Sequence, residues 1–93
     1  MDSEKIGRVK ALLENQFPGI EIDFTSEEPD WYRFRVGYSP PALFVDLQYE
    51  LVVDNPADVV IDRLSGIDLV ALMPSEGTAR YRVYLNRIEE VED

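Results

Sequence analysis

An α+β fold is what this sequence predicts: a mostly antiparallel sheet with two helices packed on one face, in the order α-β-β-β-α-β-β. Three observations carry that expectation. Residues 20–53 hold three runs in which apolar and polar positions alternate, the period of strands with one buried face. Residues 3–17 and 55–65 instead space their apolar residues by three and four, the period of helices with one buried stripe. The alternation then returns over Ala79, Tyr81, Val83 and Leu85.

The first helix is expected from about Ser3 to Gln16 or Phe17. Ile6, Val9, Leu12, Leu13 and Phe17 share one face, Asp2 or Ser3 can cap the start, and Pro18-Gly19 stops it. Gly7 weakens such a helix by about 1 kcal/mol relative to alanine, so it depends on docking against a sheet.

The strand that organises the chain is Trp31 to Tyr38. Tyr32, Phe34, Val36 and Tyr38 face the core, while Trp31, Arg33 and Arg35 face the other way. Carboxylates on the flanking runs meet these arginines: pairing Phe24 with Tyr32 sets Asp23 opposite Arg33 and Glu21 opposite Arg35. Pairing Val36 with Val45 sets Asp46 beside Arg35. A shift of one residue would drive carboxylates into the core, so the parity is fixed, whereas a slip of two satisfies the same pattern. On this reading Arg33 is a solvated residue whose removal costs less than about 1 kcal/mol. The third strand is expected to run from 43 to 53, because alternation continues through Tyr49, Leu51 and Val53.

In Asn55-Pro56-Ala57-Asp58, Asn55 is placed to cap a helix, Pro56 to open it and Asp58 to favour its positive end. Ser65-Gly66 ends it. Residues 67–73 then form a fourth strand and 79–85 a fifth, joined by Pro74-Ser75-Glu76-Gly77 as a second hairpin. The alternative order, α-β-β-β-α-β, runs the second helix on to Met73. Residues 1–93 are expected to form a single domain with a frayed acidic tail at 89–93. The order of elements resembles that of the small acidic chaperones of type III secretion, a likeness that carries no motif.

Charge and composition exclude several functions. The net charge of −10 opposes binding to nucleic acid or to an anionic membrane, both of which favour basic surfaces. No apolar run is long enough for a membrane span, and no signal peptide is expected, which places the chain in the cytoplasm. With neither cysteine nor histidine, the commonest metal ligands and the usual nucleophile–base pairs are missing, and no glycine-rich phosphate loop is present. We expect no cofactor, no metal and no catalytic residues.

The candidate site residues are therefore protein-binding ones: Trp31 with Arg33 on the second strand, Arg80 and Arg82 with Tyr84 on the last, and Val70 and Leu72 on the fourth. Tryptophan, tyrosine and arginine are the types that concentrate at binding hot spots. Phe44, Val52, Val70, Leu72 and Trp31 are all expected on the sheet face that two helices cannot cover, which favours a homodimer. The carboxylate stripe Asp54, Asp58 and Asp62 is expected to be the solvated side of a helix. The leading expectation is a protein-interaction or regulatory module that binds another protein. An acidic decoy for nucleic acid or a basic site is the alternative, and a small enzyme built on two carboxylates is the third.

Overall fold

The computed structural model describes residues 3–27 and 29–91 and has an α+β architecture with a five-stranded mixed sheet. In chain order the elements are α1 (Ser3–Gln16), β1 (Ile22–Glu27), β2 (Trp31–Val36), β3 (Ala42–Gln48), α2 (Tyr49–Val53), α3 (Ala57–Ser65), α4 (Leu69–Leu72), β4 (Thr78–Val83) and β5 (Ile88–Val91). The strands lie in the order in which they occur. Three of the four pairings are antiparallel, but β3 and β4 run parallel, joined by the helical connection α2 to α4. The sheet is thus mostly antiparallel but mixed, and the expected second hairpin, of residues 67–73 with 79–85, is corrected to a strand that pairs parallel with β3. Two parallel neighbours need a crossover, and the helices supply it.

The helices pack on one face of the sheet because each supplies an apolar stripe to the same core. Ile6, Val9 and Leu13 of α1, Leu51 and Val52 of α2, Val60 and Leu64 of α3, and Leu69 of α4 join Tyr32, Phe34, Val36, Leu43, Val45, Leu47 and Val83 of the strands. Phe24 packs its ring at 5.1 Å from Phe34 and 5.8 Å from Tyr32. The alternation in β2 is observed in full: Tyr32, Phe34 and Val36 are buried, while Trp31, Arg33 and Arg35 are half-buried on the opposite face.

Parity is as the sequence requires, with a slip of two in each register. Ile22 pairs with Val36 and Phe24 with Phe34, so Asp23 lies opposite Arg35 and Thr25 opposite Arg33. On the other side Phe34 pairs with Val45, and Asp46 lies opposite Arg33, not Arg35. Gly37 belongs to the turn that sets this second register. Its φ is +92°, and an added Cβ would sit 3.3 Å from the carbonyl oxygen of Pro41, which disfavours any other residue there.

Three further corrections share a cause, the backbone's need for hydrogen-bond partners. The expected strand 43–53 ends at Gln48, because β2 begins at Trp31 opposite Gln48 and the chain before it gives one more backbone bond, from the Tyr49 amide to the Asp30 carbonyl at 3.1 Å, before turning away. The chain coils into α2 instead, which turns the adjacent Leu51 and Val52 into the same core, where a strand would send them to opposite faces of the sheet. Residues 67–73 are not a strand either. Asp68 accepts a hydrogen bond from the Ala71 amide and caps the single turn α4. Leu69 is buried, but Val70 is 53% exposed and Leu72 half-buried, and neither belongs to the sheet. The fifth strand is found in the expected tail: residues 88–91 pair with β4, while 92 and 93 lie outside the described residues. The helix stop at Ser65-Gly66 holds, so the alternative of one long helix to Met73 fails. Asn55 does not cap α3. It donates to the carbonyl of Leu51 at 2.9 Å and closes α2.

Three substitutions test this assignment by denaturant unfolding. Phe34→Ala is expected to cost about 3–5 kcal/mol, since it empties a fully buried site. Leu69→Ala is expected to cost about 2–5 kcal/mol and Val70→Ala no more than about 0.5, because neighbouring residues of α4 differ completely in burial.

Candidate functional site

The face of the sheet opposite the helices is built from the odd residues of β1 and β2 and the even residues of β3 and β4. Register arranges them in rows. One row runs Thr25, Arg33, Asp46, Arg82, Glu89, and the next runs Asp23, Arg35, Phe44, Arg80, Val91. A third holds Glu27, Trp31 and Gln48, with Tyr84 just beyond the end of β4. The two basic and aromatic clusters seen separately in the sequence are thus one surface. Parallel insertion of β4 beside β3 unites them, and a hairpin with residues 67–73 would have kept them apart.

At the centre of this surface is Asp46, whose side chain is completely buried. A lone carboxylate there would be prohibitively unfavourable, so its environment must supply positive charge and donors. Arg33 does so with both arms of its guanidinium: Nε donates to Oδ1 at 2.8 Å and Nη2 to Oδ2 at 3.1 Å. This paired geometry is the strongest form of arginine–carboxylate contact. Arg80 Nε lies 4.0 Å from Oδ2. The hydrogen bond to Asp46 raises the pKa of Arg33 despite partial burial, which fixes it as a cation. Asp46 is a residue the sequence reading underrated. The available signal was a single charge inside Ala42-Leu43-Phe44-Val45-Asp46-Leu47, a run otherwise wholly apolar.

The remaining arginines lie over aromatic rings. Arg82 sits 4.5 Å from the centre of Trp31, and Arg80 4.9 Å from that of Phe44. Arg35 covers Tyr38 at 4.5 Å, and Arg87 covers Tyr84 at 4.0 Å. Trp31 also meets Tyr84 edge-on at 5.7 Å, so it packs within this face rather than beneath a helix or loop. Cation–π contacts of this kind contribute about 0.5–2 kcal/mol according to their exposure. Even so, Arg35, Arg80 and Arg82 each keep a buried Nε with no hydrogen-bond partner among the described residues. Carboxylates lie toward the margins: Asp23 meets Arg35 at 3.5 Å, Glu27 meets Arg33 at 3.4 Å, and Glu89 accepts from the Tyr84 hydroxyl at 2.7 Å.

Of the expected site residues, the structure brings together Trp31, Arg33, Arg80, Arg82 and Tyr84, and adds Arg35, Phe44 and Asp46 to them. It separates Val70 and Leu72, which lie on α4. Val52, also expected on the uncovered face, is a core residue. The apolar sheet face that favoured a dimer is thus replaced by a layer of arginines over aromatic rings.

Elsewhere, Asp54, Asp58 and Asp62 are exposed, and Arg8 of α1 donates to Asp58 at 3.1 Å. Among the described residues no group of three or more acidic side chains is placed to hold a metal ion. None of the helices described is long and apolar enough to cross a membrane. Two shallow hollows, of about 370 and 290 Å³, bring together Glu14 with Glu21 and Glu50 with Asp54 on open surface. No family model, curated protein or solved structure matches the chain.

Two outcomes follow from this geometry. Arg33→Ala strands a buried carboxylate and is expected to cost about 3 kcal/mol in denaturant melts, the low end for breaking a buried pair because Arg80 remains nearby. That revises the smaller cost expected of a solvated arginine. The second concerns alkaline pH. A hydrogen bond to Asp23 raises the pKa of the Tyr38 hydroxyl, and burial beside Glu90 raises that of Tyr81. Their protonated forms are favoured by folding, so the stability they lend is complete below the ordinary tyrosine value of about 10 and is lost as pH rises through the higher folded values. Ultraviolet titration should show these two phenols ionising late, and Tyr38→Phe should remove one of them.

Proposed function

We propose that this chain is a protein-interaction module that needs no cofactor and makes its contacts through the uncovered sheet face. The observation that carries the reading is a segregation of residue types. In a chain of net charge −10, four of the seven arginines and the only tryptophan gather on the one sheet face that no helix covers. Arginine, tryptophan and tyrosine are enriched at interface centres, where a large contact area comes with few charges of the partner's sign. The face is a sheet surface rather than a cleft, which favours a macromolecular partner over a small molecule.

Nucleic acid fits this face poorly. Arg82 and Arg80 already occupy positions over Trp31 and Phe44, so those rings are not free platforms for stacked bases, and the acidic remainder of the chain repels phosphate. The decoy reading asks for one continuous acidic surface, which the ion pair of Asp58 with Arg8 interrupts. For an enzyme, neither hollow couples its carboxylates to a nucleophile or an enclosed pocket.

The test is comparative capture. The wild-type chain, Arg80→Glu/Arg82→Glu and Asp54→Lys/Asp58→Lys are immobilised in equal folded amounts, and the proteins each retains from source cells are quantified. The expected result is a partner held by the wild type and by the helix variant but reduced at least tenfold by the face variant. Loss by the helix variant alone would move the function to the acidic stripe and overturn this reading.

A further inference from the structure

We infer that the outer edge of β1 is a second interaction surface. Its occupant is an extended segment of a basic partner protein, in which arginine or lysine alternates with apolar residues, added to the sheet as a further strand. The inference goes beyond the reading of the arginine face and does not depend on it.

The backbone defines the surface. One step beyond the pair Ile22 and Val36, the Gly37 amide donates to the Glu21 carbonyl at 2.9 Å. That bond fixes the phase of the ladder: the odd residues of β1 turn their amide and carbonyl groups toward β2, and Ile22, Phe24 and Ser26 turn theirs outward. β1 ends the sheet, and no hydrogen bond among the described residues meets these outward groups. A free edge of this kind is a template for strand addition.

The side chains beside the edge set the chemistry of what fits. On the helix side, Ile20 is 40% exposed and Phe24 only half-buried, so apolar surface is left uncovered there. On the other side β1 carries Asp23, Thr25 and Glu27, with Glu21 just before it. Asp23 and Glu27 are engaged by Arg35 and Arg33. The exposed Glu21 side chain is not held by any cation among the described residues, and it shares with Glu14 of α1 the hollow of about 370 Å³ that Ile20, Tyr38 and Lys10 also line. A partner cation entering there meets two carboxylates against one lysine. The alternate, apolar side chains of the same strand cover Ile20 and Phe24. β2 already shows this pattern on the inner side of β1: its arginines meet Asp23 and Glu27 on one face, and its aromatic residues meet Phe24 on the other.

Charge also rules against the other occupants and the other edge. A second copy would bring β1 or β5, and both are acidic, β1 through Glu21, Asp23 and Glu27 and β5 through Glu89 and Glu90. Like charges opposed across strands are destabilising. β5 is the poorer platform, because it has four residues and none is buried, whereas β1 has six and anchors Ile22 in the core. The net charge of −10 draws a basic segment toward the molecule, and the free edge determines where it comes to rest.

Titration of the full chain with a labelled synthetic peptide of alternating arginine and valine, long enough to span β1, tests the proposal. Fluorescence anisotropy reads the affinity, and amide hydrogen exchange reads the place. The expected result is saturable binding that weakens as salt rises and slows exchange at Ile22, Phe24 and Ser26 at least tenfold. Ser26→Pro removes an outward amide at an exposed position where an edge strand tolerates proline, and should weaken binding at least tenfold. Glu21→Lys should weaken it at least fivefold, whereas Asp54→Lys/Asp58→Lys, which changes the net charge more but lies away from this edge, should stay within about threefold of the wild type. Circular dichroism melts establish that the variants are folded, and if Ser26→Pro does not fold, exchange in the wild type decides. Absence of saturable binding, unprotected amides at Ile22, Phe24 and Ser26 in excess peptide, or a folded Ser26→Pro chain that binds as the wild type would overturn the edge as a site. Equal losses in the Glu21 and the Asp54/Asp58 variants would reduce the contact to diffuse attraction and overturn it as well. None of these outcomes bears on the capture experiment, which reads the arginine face.

Discussion

The rest of the structure turns on one carboxylate. Asp46 lies in the middle of the central strand with its side chain withdrawn completely from water, a position that an isolated charge cannot occupy. Arg33 has to answer it from β2, and on the other side β4 has to arrive with Arg80 and Arg82 in register. The carboxylate therefore ties together strands that meet through a hairpin-like turn on one side and a three-helix crossover on the other. Arg33 holds Asp46 with both arms of its guanidinium while those of Arg80 and Arg82 lie over Phe44 and Trp31, so side chains of the strands themselves cover the second face of the sheet.

What the sequence makes legible is parity, and what it leaves hidden is partnership. Any one-residue slip in β2 would have buried Arg33 and Arg35 under the helices, so the faces of Trp31 to Val36 could be assigned from alternation. A two-residue slip keeps every side chain on its face, so the pattern is silent about whether Asp46 meets Arg33 or Arg35; the turn at Gly37 decides it. Tyr49 to Val53 continues the alternation of β3, yet after the Tyr49 amide bonds the Asp30 carbonyl no neighbouring strand is left beside it, a fact that belongs to β2 and is invisible locally. Asp68 was the missed local signal. Its capping marks Leu69–Leu72 as a helical turn, whereas the apolarity of residues 69–73 resembles a buried strand.

The candidate face shows the same division. Each of its two strands announces itself in sequence, one through Trp31, Arg33 and Arg35, the other through Arg80, Arg82 and Tyr84. Their union depends on β4 crossing back to lie parallel to β3, and contacts of that kind carry no short-range signature. The helix layer that enforces the crossing is held by long-range bonds as well as by apolar burial: Lys5 Nζ donates to the Val52 carbonyl at 2.8 Å and Arg63 Nε to that of Tyr84 at 2.8 Å. The second of these joins α3 to the chain just beyond β4, beside the aromatic end of the arginine face.

The position of Trp31 has an optical consequence. The molecule's only indole stands edge-on to Tyr84 beneath the guanidinium of Arg82, on the face remote from the apolar core. Its emission is thus governed by local polarity, by the adjacent positive charge and by whatever settles over the arginine layer. Fluorescence, ordinarily a gauge of whether a small protein has unfolded, becomes in this one an intrinsic gauge of whether its outer sheet surface is occupied.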